Sequence, residues 1–195
     1  GHAAHLPAVV LVGGSGTHDR DESIGPYHPL FDIAEGLNAH GYAVLRYDKR
    51  FAGESSSNTP AARITRQNYL DDLLAAIATL RKDQRVDARH LYLVGHSEGG
   101  ELVMGAVLEG APVRGVAMLA PLPIPYARAL RDQQRRGMMS AADLAQIEKA
   151  EATFMASWSS IDPRTEVARI GSPMLVLRGS DDVNVTADEL AQLTR

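Results

Sequence analysis

The chain has 195 residues, 45% hydrophobic and 23% charged, with a formal net charge of -4, which suits one globular domain with a substantial core. The charge balance and the lack of a basic stripe give no electrostatic case for nucleic acid, and no apolar run approaches the roughly 20 residues of a membrane span. With no cysteine, disulfides, thiolate catalysis and cysteine-bound zinc are excluded; the compartment stays open, leaning cytoplasmic because no charged leader precedes an apolar core.

In chain order, Gly1-His2 reads as a cloning scar, and a single domain is expected over 6–195. Residues 8–12 form a short β-branched apolar run that stops at Gly13-Gly14-Ser15-Gly16. Residues 30–40 repeat apolar side chains at Leu30, Ile33, Ala34 and Leu37, a helical spacing closed by Gly41. Residues 43–47 read as the next strand. Thr65 then N-caps a long helix with Leu70, Leu73, Leu74, Ile77 and Leu80 on one face. A strand at 90–94, a helix at 98–108, a strand at 113–120, a strand at 174–178 and a helix from about 186 complete the series. Strands alternating with amphipathic helices predict an α/β fold, a mostly parallel sheet with helices on both faces and right-handed crossovers. Residues 121–169 interrupt the alternation with prolines and two helical stretches, 127–136 and 141–157, and are expected to form a helical lid.

The most informative segment is Leu91-Tyr92-Leu93-Val94-Gly95-His96-Ser97-Glu98-Gly99-Gly100. An apolar strand runs into Gly-x-Ser-x-Gly and then into a helix, the context of a nucleophile elbow. Ser97 is the candidate nucleophile for acyl transfer, with the backbone N–H of Glu98 as one oxyanion donor. The second donor is expected from the glycine-rich loop after the first strand, at Ser15 or its neighbour Gly14. That loop lacks the lysine of a phosphate-binding P-loop. Asp182, on the turn after the strand at 174–178, is the candidate acid, with Asp181 as the alternative. In this order of elements the base, a histidine, is expected after Arg195. His96 reads as a packing residue pointing away from Ser97, while His18 and His28 lie on loops that approach the mouth of the site. Trp158 and Met155 in the lid are weaker candidates for substrate contact. Neither a metal nor a cofactor is implied. The charges Asp19, Arg20, Asp21, Arg46, Asp48 and Arg50 read as an ion-pair network between two loops. Arg128, Arg131, Arg135 and Arg136 read as a solvated helix face, or as a lure for an anionic substrate.

Gly-His-Ser-Glu-Gly-Gly at 95–100, the glycine-rich segment at 10–21, Leu-Arg-Tyr-Asp-Lys-Arg at 45–50 and the Asp-Asp turn at 173–182 together resemble the α/β-hydrolase superfamily. The similarity is to bacterial carboxylesterases of its dienelactone-hydrolase-like and prolyl-oligopeptidase-like branches. The resemblance implies a serine hydrolase acting on small-molecule carboxylic esters, with Ser97 as nucleophile, Asp182 as acid, and Ser15 and Glu98 as oxyanion donors. It also implies a chain incomplete at both ends, whose strands at 43 and 174 become sheet edges open to pairing with another copy. An acyltransferase, thioesterase or serine peptidase on the same fold, or a non-catalytic binding module, are the alternatives.

Overall fold

A computed structural model describes residues 5–193, so Gly1-His2 and Arg195 lie outside it. Strand β1 (Leu6–Val12) is followed by helix α1 (Pro29–Ala39) and strand β2 (Ala43–Leu45). Helix α2 (Arg66–Arg81), strand β3 (Val86–His96), helix α3 (Glu98–Leu108) and strand β4 (Gly115–Leu119) come next. Helices α4 (Tyr126–Arg135), α5 (Ala141–Ala150), α6 (Ala152–Ser157) and α7 (Pro163–Val167) precede strand β5 (Met174–Leu177) and helix α8 (Ala187–Leu193).

Among the described residues the sheet has five parallel strands in the order β2-β1-β3-β4-β5. Its strands read as continuous apolar runs because both faces of the centre are covered. Ala8, Val10 and Val12 of β1 join the main core with Leu91 and Leu93 of β3 and Leu70, Leu73 and Ile77 of α2. Val9 and Leu11 face the other way, onto Leu30 and Ala34 of α1. The chain leaves β2 at one side of β1 and returns as β3 on the other, which creates a topological switch point between β1 and β3. Crevices for ligands form at such points, beyond the carboxyl ends of the strands. The pairing of Val12 with Gly95 levels those ends, so the loop after β1 and the turn after β3 emerge side by side.

As expected, Thr65 opens α2: its N–H donates to Asn68 Oδ1 at 3.0 Å. Three local departures have physical reasons. Strand β3 starts at Val86 rather than at 90, across an irregularity in its pairing with β1 between Leu6 and Ala8. The added residues are polar: the Asp87 carboxylate bonds the backbone and side chain of Arg89 and also His90, so no apolar alternation announces them. The stretch 141–157 breaks into α5 and α6 at Glu151, where the chain turns to send Phe154 and Trp158 into the core. Helix α7 is an addition to the expected elements; Asp162 caps it by accepting from the Arg164 N–H, and Pro163 opens it.

Helices α4 to α7 occupy the expected insertion between β4 and β5. They are anchored by an aromatic cluster in which Trp158 stacks on Tyr126 and Phe154 packs edge-on against Tyr69, Tyr126 and Trp158. Strands β2 and β5 are the sheet edges, as expected. The side of β5 turned away from the main core is bare, with Leu175 54% and Leu177 48% exposed. Among the described residues no helix is long and apolar enough to cross a membrane.

Candidate active site

Ser97 sits at the junction of β3 and α3 with φ +50° and ψ -119°, a conformation that costs a non-glycine residue about 1–3 kcal/mol. The flanking glycines make it attainable. A Cβ on Gly95 would overlap the Gly99 carbonyl, and one on Gly99 would overlap the Val12 and Gly13 carbonyls at the end of β1. Helix α3 therefore starts in contact with the loop that follows β1, and its N-terminal amides face the same region. Positive φ also occurs at Glu22 and Ala120. With Ser97, both line one cavity of about 260 Å³, so three of the four non-glycine residues at positive φ among the described residues, all but Phe51, gather there.

Gly14, Ser15, His18, Glu22, His96 and Asp182 share that cavity with Ser97. A Cβ built on Gly14 would lie 3.3 Å from Ser97 Cβ and 2.9 Å from Glu22 Oε1, so a side chain here would push against both Ser97 and the Glu22 carboxylate. The two candidate donors of the loop differ. Gly14 N–H is already spent on Glu22 Oε1 at 2.7 Å, whereas Ser15 N–H has no partner among the described residues. Asp182 lines the cavity and Asp181 does not. One Asp182 oxygen accepts the N–H groups of Asn184 (2.8 Å) and Val185 (3.0 Å), which fixes the carboxylate on its turn.

Three sequence expectations are corrected. His96 does not point away: its ring lines the cavity and its Nδ1 lies 2.8 Å from Glu22 Oε1. A carboxylate only accepts, so Nδ1 carries the proton and Nε2 is left toward the cavity. The Glu22 hydrogen bond raises His96 above its ordinary value against the opposing effect of burial. Burial alone would raise Glu22, but the hydrogen bond and charge of His96 and the Gly14 N–H hold it below the usual carboxylate range. Trp158 does not reach the cavity; it is 1% exposed inside the aromatic cluster, with the Arg66 guanidinium 5.1 Å from its ring centre. Met155 likewise packs against the main core and not on the cavity wall.

The histidines on loops are occupied as well. His18 Nε2 lies 2.6 Å from the Ser15 carbonyl and must donate to it, while His28 pairs with Ser23 away from the cavity. Among the described residues no imidazole hydrogen-bonds Ser97. The expected ion-pair network between the loops is present and extends to α2. Arg20 grips Asp48 through Nε and Nη2 at 3.0 and 2.7 Å, Arg46 meets Asp21, and Arg50 reaches across to Asp72 of α2 at 2.6 and 2.7 Å. The arginines of the insertion are paired too: Arg128 and Arg135 with Asp132, Arg131 with Glu148, Arg136 with Glu189. None of the four lines the cavity, which removes the anionic lure.

Two residues escape a reading of the sequence. Glu22 is 1% exposed and joins Gly14 to His96. Lys49 is 3% exposed and donates to the Gly14 carbonyl at 2.7 Å and to Glu98 Oε1 at 3.0 Å. Both stand in the charged segments around 19–22 and 46–50, where a buried charge is indistinguishable from a solvated one.

Comparison with known proteins agrees with this fold. A relative, "Esterase EstD" of Thermotoga maritima, is 34% identical over 201 residues, covering 93% of this chain and 48% of its own length. The chain thus spans about half of that curated relative. Among solved structures, an esterase of Pyrococcus furiosus, Pf2001, superposes with a TM-score of 0.76 at 18% identity, over 98% of this chain and 68% of that one. The α/β hydrolase GrgF from a Penicillium species superposes with a TM-score of 0.72 at 17% identity, over 98% and 78%. The family model described as "Serine aminopeptidase, S33" matches residues 7–132, which hold β1, the glycine-rich loop, the elbow and the start of the insertion. The chain belongs to that family of α/β hydrolases.

Proposed function

We propose that this chain carries the nucleophile, acid and oxyanion donors of a serine hydrolase that cleaves small carboxylic esters. The observation that carries the reading is Ser97 at positive φ on the elbow, facing a cavity walled by Ser15, Glu22 and Asp182. Ser97 Oγ adds to the ester carbonyl as its proton passes to a base. The oxygen that becomes negative is met by the backbone N–H groups of Ser15 and Glu98, already aimed and needing no reorganisation. Collapse expels the alcohol with a proton from the base and leaves an acyl-serine, which water hydrolyses by the same steps. Asp182 orients a histidine base, a role that no imidazole among the described residues fills.

The cavity favours short, uncharged acyl groups. Its apolar wall is Ile24, Ala120, Leu122, Tyr126, Leu130 and Val185, drawn partly from α4, so the insertion acts as the lid. Ester is preferred to aminoacyl amide, because a free α-ammonium needs an anionic partner and Glu22 is already committed to Gly14 and His96. The test is labelling by a fluorophosphonate and turnover of short against long 4-nitrophenyl esters, on the complete protein and its Ser97→Ala variant. Labelling lost in Ser97→Ala, with turnover down by about 10⁴-fold or more, is expected. An unlabelled Ser97 in the complete protein sinks the reading in favour of a non-catalytic binding module.

A further inference from the structure

Gly14 and Ser15 present their backbone polar groups in an unusual state of occupation. Gly14 N–H is held by Glu22 at 2.7 Å, Gly14 C=O by Lys49 Nζ at 2.7 Å, and Ser15 C=O by His18 Nε2 at 2.6 Å. Only Ser15 N–H is without a partner among the described residues. That N–H belongs to the same peptide unit as the Gly14 carbonyl. In a planar trans peptide the C=O and N–H point in opposite directions. Drawing the carbonyl inward to a buried ammonium therefore turns Ser15 N–H outward, to the cavity that both residues line.

Lys49 is itself held in place. Its side chain is 3% exposed, its ammonium bonds Glu98 Oε1 at 3.0 Å, and it lies 4.5 Å from the centre of the Tyr69 ring. A carbonyl, a carboxylate and an aromatic face thus take up the ammonium. Glu98 is the residue whose own backbone N–H follows Ser97. Lys49, on the segment after β2, consequently bridges the two chain segments that supply the oxyanion donors: it bonds the Gly14 carbonyl in β1's loop and Glu98 in the first turn of α3. Such an ion pair adds little stability over an apolar pair of the same shape, so the orientation it imposes is its more telling consequence.

We propose that the Lys49 and Glu98 side chains are positioning residues that build the oxyanion site. Lys49 sets the plane of the Gly14–Ser15 peptide, polarises it so that Ser15 N–H becomes a stronger donor, and is kept on target by Glu98. The catalytic consequence rests on Ser97 being the nucleophile; the peptide orientation does not.

The experiment uses this chain, its Lys49→Met variant and the double variant Lys49→Met with Glu98→Gln, which leaves no lone buried charge. Backbone N–H residual dipolar couplings report the peptide plane. The Ser15 coupling is expected to change or average out in the variants while those of β1 and β3 stay; a Ser15 coupling unchanged in a folded variant overturns the proposal. In the unmodified chain Gly14 N–H is expected to exchange slowly with solvent and Ser15 N–H fast, and the reverse order overturns it without any variant. Phenylboronic acid then reads the site: boron bonds Ser97 Oγ as the hydroxyl proton leaves to solvent, giving a tetrahedral anion whose oxygen needs the donors. Its Kd is expected to rise at least tenfold, that is by at least about 1.4 kcal/mol, in the double variant. An unchanged Kd overturns the link to oxyanion binding. A complete protein, with its base in place, that takes no boronate sinks the Ser97 reading, while the couplings and the exchange rates still decide whether Lys49 orients the peptide.

Discussion

Glu22 couples two functional neighbours through a single oxygen. Oε1 accepts both Gly14 N–H and His96 Nδ1–H, while the backbone around it is held at φ +53°. With Nδ1 committed to Glu22, that hydrogen bond favours the imidazolium form of His96. The pair adds stability only where both partners are charged. Glu22 loses its contribution as pH falls through its lowered value, and His96 loses its own as pH rises through its raised value. Glu22→Gln is therefore expected to destabilise most between these limits, around pH 5 to 6.5 on the ordinary scale. The cost should be about 1 kcal/mol once the partial exposure of the imidazole is discounted. Urea unfolding across pH checks the window, and an NMR titration checks its origin. The His96 midpoint should fall toward about 6.5 in the variant; a midpoint that does not move refutes the coupling.

Helix α3 shows how one element concentrates cost at the site. Its first turn buries Glu98 and Glu101, 1% and 0% exposed, close behind the strained Ser97. Glu98 has Lys49, but neither oxygen of Glu101 has a hydrogen-bond partner among the described residues. Burial first, then the neighbouring Glu98 and Glu166, push the Glu101 carboxyl well above the usual range against the pull of Arg66. The folded state holds that proton more tightly than the unfolded chain, so its stability falls as pH rises above about 4.5. Glu101→Gln removes the proton linkage. Chemical denaturation should find the variant near wild type at pH 5 and more stable by on the order of 1 kcal/mol or more at pH 8. Equal pH slopes in the two proteins would contradict a buried, protonated Glu101.

At this scale the limits of the sequence become physical. The strands β1, β2, β4 and β5 are legible as short apolar runs between polar or helical stretches, and the elbow because Gly95 and Gly99 flank Ser97 where the packing leaves no room for a Cβ. The break at Glu151 is not, because no helix-breaking residue marks it and only the burial of Phe154 and Trp158 explains it. Lys49 reads as one charge among many because its partners are 35 and 49 residues away, and neither contact leaves a local pattern. Ser97 announces itself by its neighbours in sequence, whereas the groups that orient its surroundings are neighbours only after folding.

For the whole molecule the sheet's margins matter most. Helix α1 covers β1 and β2 on the face opposite the main core, but nothing among the described residues covers that face at β5. Leu175 and Leu177 stand there on an edge strand whose outer backbone groups are unpaired among the described residues. Large exposed apolar side chains joined to an open strand edge form a template for a second copy. We therefore expect this chain alone to self-associate through β5, with the apparent mass in sedimentation velocity rising with concentration. Leu175→Lys with Leu177→Lys should shift it to monomer by removing apolar area and adding like charges across the contact. Neither residue lines the cavity at Ser97, so boronate affinity should be retained in the double lysine variant, which separates loss of association from loss of fold. Concentration-independent monomer in the unmodified chain would mean that the edge and its leucines are tolerated bare, and association through β5 would be abandoned.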